Sequence, residues 1–365
     1  MMKVKFSDVV QRAHTKEDRF STDKIYYTGG EHIDTDDVIV SKRGIIKGST
    51  IGPMFYCGFI AGDILFVTRN PHLRKCGIAT YDGICSEKTF VLRTKNEEIL
   101  LQDYLLFVMH TTKFWNYLET NKSGSVNFFI NWSTLAKYEF ELPGLEEQFK
   151  VVQLLKTIVE LKHKYTLLIN STDELVKSQF IEMFGEPNNN PNAVSFESAF
   201  SIRDDLRKPI NDTVRSEMHT GQLYPYYGAN GQVDSINEYL MDCNAICLAE
   251  DCGAYGAGEA TSYIISGKCW VNNHAHVLIP KESCDIEFAN VYFRILDMSE
   301  YVTGTTRLKL TQGKMKTLPM ILPPMEQQKQ FAAFVRQSDK SKFKLQKSIE
   351  TLDTLQKSIM RKYLG

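Results

Sequence analysis

The sequence has no apolar run near the roughly 18 residues that a membrane-spanning helix requires. Residues 1–16 also lack the apolar segment of a secretory signal. A cytoplasmic chain is therefore expected. Eight cysteines are present, but none form a C-x-x-C pair, and the spacing of Cys243, Cys247 and Cys252 fits no zinc template. Free thiols in a reducing compartment are the expected state. The sequence holds no G-x-x-x-x-G-K-[ST] phosphate loop, and GAYGAG at 253–258 lacks the G-x-G-x-x-G order. It holds no [DNS]-P-P-[YF] methyl-transfer motif, since its only Pro-Pro pair lies in LPPMEQ at 322–327. No catalytic constellation, cofactor or metal site is assigned. Net charge is −1, and no segment is a polybasic clamp. Any affinity for an acidic polymer must come from local patches or from a partner.

What the chain does have is a repeat. With residue n set against n+180 and no gaps, 142–185 and 322–365 share twelve identities in 44 positions. Chance at ordinary residue usage gives about three. The shared residues include Leu142/Leu322, Pro143/Pro323, Glu146/Glu326, Gln148/Gln328, Lys162/Lys342 and Asp173/Asp353. The segment starts VKF (4–6) and VSF (194–196) match at an offset of 190. The chain is thus two half-molecules, each a variable part followed by a shared helical part.

Each shared part reads as one long helix. A proline just before the start costs no needed hydrogen bond, and the first-turn acids Glu146, Glu147 and Glu326 suit the positive end of the helix dipole. From there Leu154, Ile158, Leu161, Tyr165, Leu168, Thr172 and Leu175 step by four and three, the pattern of a heptad seam. Leu345, Ile349, Leu352 and Ile359 mark a similar stripe in the second copy. About 40 residues of helix extend about 60 Å, too far to bury a seam on one small domain. The economical partner is the other copy.

The expected organisation is α+β: two α/β heads at 1–141 and 188–321, alternating with long helices at 142–187 and 322–365 that pair as an antiparallel coiled coil with pseudo-two-fold symmetry. Within the heads, DILFVTR (63–69), KTFVLRT (88–94), AICLAE (245–250) and HVLIP (276–280) read as strands. Residues 100–119 and 285–302 each read as one helical stretch, followed by the Gly loops GSVNFFI (124–130) and GTTRLKL (304–310).

Two variable domains, each followed by a repeated helix opened by LPxxEQ or LPxxxQQ, resemble the DNA-specificity subunit of type I restriction–modification systems. The resemblance covers essentially the whole chain. It implies that each head is a target recognition domain reading one half of a split double-stranded DNA sequence. It also implies that the helices set the spacing and dock two methyltransferase subunits, that a motor/nuclease subunit completes the complex, and that this chain is itself not an enzyme. The specificity subunit of a related fused restriction–methylation enzyme and a coiled-coil scaffold that binds no DNA are the competing readings.

Candidate DNA contacts follow from side-chain chemistry. The paired Gly loops offer Lys122, Ser123, Ser125 and Asn127 in the first half, and Thr303, Thr305, Thr306, Arg307 and Lys309 in the second. Their glycines let backbone approach phosphate, and their hydroxyls and amides can donate to it. TRNPHLRK offers Arg69, Asn70, His72, Arg74 and Lys75, where Arg matches guanine and Asn matches adenine in the major groove. Lys42, Arg43 and Lys47 form a smaller basic patch. Tyr226, Tyr227 and Asn230 lie in YPYYGANG, while Asn272, Asn273, His274 and His276 lie in WVNNHAHVL, some of them expected to brace the YGANG loop. Arg203, Arg207 and Lys208 are candidate backbone contacts, with Asp204 and Asp205 as competing local partners.

Incubated alone with DNA and S-adenosylmethionine, the purified chain is expected to transfer no methyl group and to bind DNA only weakly. Methyl transfer by the lone chain, or tight salt-sensitive binding without a partner, would overturn the assignment.

Overall fold

The computed structural model describes residues 2–305 and 307–365. The chain divides into two compact units, one ending at Thr166 but including Gln346–Gly365, the other running from Leu167 to Leu345. Each holds one head with part of each long helix.

The first head is built on the strand Ile64–Val67, all four residues of which are buried. Alternation sends Ile64 and Phe66 into one core and Leu65 and Val67 into another. Both faces are covered, which is why the strand reads as a continuous apolar run. Thr89–Thr94 pairs antiparallel along one edge (Phe90 opposite Phe66) and Cys76–Ala79 along the other. Val10–Arg12 and Ile39–Val40 complete this five-stranded sheet. A second sheet contains the parallel pair Tyr26–Thr28 and Gly83–Ser86.

The second head repeats the scheme. In the strand Ala245–Ala249, Ile246 and Leu248 face one core while Ala245 and Cys247 face another. Its sheet places Phe200–Ile202, Ala275–Pro280, Ala245–Ala249 and Ser262–Ile265 in the same order as the first head's Val10–Arg12, Thr89–Thr94, Ile64–Val67 and Cys76–Ala79. Its other sheet again contains one parallel pair, Tyr224–Gly228 with Lys268–Val271. The offset of 190 between segment starts has a structural counterpart. Val4 pairs with Phe140 and Val194 with Met320, stitching the beginning of each head to its end, and Phe6 and Phe196 are fully buried.

The stretch 100–119, expected as one helix, is two: Gln102–Met109 and Thr112–Thr120. Thr111 breaks it, because its hydroxyl donates to Val108 O and accepts from Phe114 N, capping a new helix. Likewise Ile286–Ile295, capped by Asp285, stops short of 302, and a 3-10 turn covers Ser299–Tyr301.

The long helices run Leu145–Phe184 and Met325–Tyr363. Gly185 follows the first with φ +82°, a conformation glycine adopts without a Cβ penalty. The repeated glutamines explain the box that opens each helix. Gln148 is fully buried; its amide donates to Pro143 O (2.9 Å) and Ile99 O (2.8 Å), and its carbonyl accepts from Leu101 N (3.0 Å). Gln328 repeats this with Pro323 O (2.7 Å), Ser283 O (2.8 Å) and Asp285 N (2.8 Å). Each glutamine therefore locks the first turn of a long helix to the backbone that starts a head helix.

The covered face of the first helix differs from the expected seam. Ile158 is buried and Leu161, Tyr165 and Thr172 are half-buried, but Leu154, Leu168 and Leu175 are about half exposed. Val151, Leu155, Val176, Phe180 and Phe184 take the core-facing places instead. Much of this face packs on head residues as well as on the other helix, so apolar spacing alone does not locate it. The expected stripe of the second helix, Leu345, Ile349, Leu352 and Ile359, is half-buried. Contacts between the helices occur within each unit. Lys162 reaches Gln356 (3.2 Å) and Asp353, and Phe180 packs on Phe331. Lys342 reaches Asp173 at 2.7 Å. The repeated lysine of each copy thus pairs with the repeated aspartate of the other.

Gln148→Ala or Gln328→Ala removes the side-chain partner of three backbone groups at the junction of head and helix. Each is expected to lower stability by about 2 kcal/mol or more, measured by urea unfolding. A loss below about 0.5 kcal/mol, the usual range for surface changes, would contradict the locking role.

Candidate nucleic-acid interface

The two Gly loops are the same small hairpin. Ser123 and Phe129 exchange backbone hydrogen bonds of 2.9 and 3.0 Å, and Thr303 and Lys309 exchange bonds of 2.9 and 2.8 Å. Gly124 (φ +95°) and Gly304 (φ +94°) turn the chain, and a Cβ at either would collide with the carbonyl oxygen three residues on. Each hairpin docks on the end of its head's central strand, through Ile130 N to Thr68 O (2.9 Å) in the first head and Leu310 N to Glu250 O (2.8 Å) in the second. At the first tip Ser125, Asn127 and Val126 are exposed, while Ser123 is half-buried at the base. At the second, Thr303, Thr305, Arg307 and Lys309 are exposed; Thr306 lies outside the described residues.

The side-chain anchoring differs. In the first head, the Lys122 ammonium lies 4.2 Å from the Phe128 ring and pairs with Glu119, while the Arg69 guanidinium lies 5.4 Å from Phe129. In the second, Arg307 pairs with Asp251 and Lys309 with Glu250 (2.9 Å). Asp251 also receives the His274 ring at 2.9 Å. Glu250 sits below the usual carboxylate range: burial alone would raise it, but Arg207 and Lys309 outweigh that.

Beside the first loop, Arg69, Asn70 and His72 are exposed. Asn70 (φ +51°) and Arg74 (φ +48°) bracket a 3-10 turn at Pro71–Leu73 in left-handed conformations uncommon for residues with side chains. Arg74 lies 3.8 Å from Asp36, and Lys75 is half-buried, donating to Gly30 O at 2.5 Å. Exposed Lys42 pairs with Asp34, and Arg43 lies over Tyr26 (4.1 Å) and Tyr81 (4.8 Å). Tyr81 donates to Lys42 O at 2.6 Å, which fixes this patch to the head.

Several sequence-based candidates sit elsewhere than an interface requires. Tyr226 is 1% exposed, and its hydroxyl accepts from Ile210 N, so it supports the loop from beneath rather than facing solvent. Tyr227 is half-buried against Tyr263 (5.6 Å), and only Asn230 of this group is exposed, at the hairpin turn. Arg203 is held by Asp205 through two 2.9 Å bonds. Arg207, whose side chain is 15% exposed, pairs with Asp204 (3.0 Å) and Glu250. The local acids captured both arginines. Asn273 is exposed, while Asn272 is buried and braces the turn by accepting from His274 N (2.8 Å). His274 and His276 do not converge: the first meets Asp251, the second Asp204. Among the described residues, no cluster of three or more His, Cys, Asp or Glu side chains is placed to hold a metal ion, and no helix is long and apolar enough to cross a membrane. Sequence reasoning missed the acids that organise the second loop. Glu250 and Asp251 lie nearly 60 positions from Arg307 and Lys309, and only the sheet brings them together.

With two heads of one strand order and differing loops established, comparison with known proteins is informative. Residues 4–170 and 211–353 match the type I restriction modification DNA specificity domain, and the chain belongs to that family. A relative from Haemophilus influenzae, named as type I restriction enzyme specificity subunit S.HindORF215P, is 32% identical over 131 residues, which cover 35% of this chain and 32% of the relative. The chain thus matches about a third of that relative's length. Among solved structures, a chain from a study of complex assembly and conformational transition in the type I restriction–modification system superposes with TM-score 0.58 at 18% identity, covering 99% of this chain and 97% of the other. The type I S subunit from M. genitalium superposes with TM-score 0.56 at 13% identity, covering 100% and 96%. At such identities the likeness concerns fold.

Salt screens exposed ion pairs. Between 50 mM and 1 M KCl, amide exchange in the second loop is expected to quicken by about threefold relative to the first. Equal response of both loops would contradict the contrast in anchoring.

Proposed function

We propose that the chain is the sequence-reading subunit of a type I restriction–modification complex. Each head reads one half of a bipartite double-stranded DNA target. One observation carries this reading: two heads of the same strand order present the same glycine hairpin with different side chains, as two readers of different half-sites require. The first head's contacts come from Lys42, Arg43, Arg69, Asn70, His72, Arg74, Lys122, Ser125 and Asn127. The second head's come from Asn230, Asn273, Thr305, Arg307 and Lys309, with His274 holding the loop. Lysine and arginine supply phosphate affinity, and Asn70, Arg69 and Asn230 supply base discrimination.

The long helices act as an antiparallel coiled coil with pseudo-two-fold symmetry. The reciprocal pairing of Lys162 with Asp353 and Lys342 with Asp173 supports this, because an isologous contact repeats each interaction with the roles exchanged. Leu175 and Leu355, matched by the repeat and both about half exposed, join Leu154, Leu167 and Leu168 as apolar surface for two methyltransferase subunits. A motor/nuclease subunit joins that assembly. The chemistry resides in these partners.

In this reading helix length sets the unread spacer. Inserting four residues into each long helix adds about 6 Å and is expected to shift the preferred spacer by one or two base pairs. Gel-shift assays of the complex with methyltransferase subunits, on duplexes of graded spacer length, provide the check. An unchanged optimum would remove the helices from that role, and no preference for any bipartite sequence would remove the function.

A further inference from the structure

His276 is not among the residues the proposed function uses, yet it is 1% exposed in the strand behind the second loop. Its Nδ1 lies 2.7 Å from Asp204 Oδ2, and its Nε2 lies 2.8 Å from Leu310 O. A backbone carbonyl only accepts. Asp204 also only accepts when ionised, and the Arg207 guanidinium at 3.0 Å favours that form. Asp204 already receives Val277 N (3.1 Å) and Gln312 Nε2 (2.9 Å). Both ring nitrogens must therefore donate, which a neutral imidazole cannot do.

We infer that His276 works as a buried imidazolium, a positioning residue that clamps the Thr303–Leu310 hairpin to the loop at Arg203–Arg207 and so sets the second head's reading loop against DNA. This rests on the proposed function only for its last clause. The ring is faced by Asp204 and Arg207 from the loop after Phe200–Ile202, and by Glu250 (3.9 Å) from the end of the central strand. Lys309 and Gln312 reach these same acids from the hairpin side. Two cations besides the ring thus compensate two carboxylates, and the ring supplies the only direct bond to the hairpin's Leu310 carbonyl that is described. Losing one ring proton frees that carbonyl or leaves Asp204 short of a donor.

The test uses the full chain labelled with 15N-histidine, alone and in complex with methyltransferase subunits. At neutral pH, His276 is expected to show two protonated ring nitrogens, assigned by loss of the signals in His276→Gln. A single ring NH overturns the inference. His276→Phe keeps the ring volume and removes both donors. It is expected to speed amide exchange at Thr303, Lys309 and Leu310 by about tenfold or more. Binding to a genomic duplex carrying the methylated target is expected to weaken similarly. That loss should vanish on a duplex whose second half-site is scrambled and persist when the first is scrambled. A charged ring with unchanged exchange in the variant overturns the clamp. If the complex prefers no bipartite sequence, the reading function fails while the ring and exchange results still decide the clamp.

Discussion

The molecule depends on one buried amide, used twice. A head must be attached to the beginning of a 40-residue helix without play. Gln148 and Gln328 meet that need. Each donates to the carbonyl of the proline that opens its helix, and each exchanges two further bonds with backbone at the start of a head helix. An amide buried with one such bond missing would cost more than an apolar residue in its place. Full satisfaction is what makes a polar residue tolerable there.

A second constraint is that long helices expose more apolar surface than one head can cover. Part of each apolar face is taken by its head, as with Val151 and Leu155 in the first core and Phe180 and Phe331 in the second. Elsewhere the helices meet through half-buried side chains and the Lys–Asp pairs, each weak by itself when exposed. Registration of the helices here comes from many small contacts rather than one large one.

The repeat, the long helices and the strands around DILFVTR and AICLAE were legible because each rests on local signals: identity at fixed offset, helix-start residues and β-rich runs. The exposed side of the helix seam was misplaced for a physical reason. Leu154, Leu168 and Leu175 have the right spacing, but the heads decide which side is covered. The break at Thr111 was missed because a threonine inside an apolar stretch is as easily a helix interior as a cap. In the candidate interface, the sequence marked the two Gly loops though not their hairpin pairing, while Tyr226 and Arg207, taken as surface contacts, lie inward. A tyrosine on a glycine-flanked strand and an arginine beside two aspartates face inward or outward according to distant neighbours, here Ile210 and Glu250. No single-sequence pattern records those.

The glutamine fastenings touch only main-chain atoms of the heads, at Ile99, Leu101, Ser283 and Asp285. A fastening of that kind ignores which side chains the head carries at these four positions, so substitutions at the exposed loops leave these bonds intact, while Val151, Leu155 and Phe180 tie the helix to head side chains elsewhere.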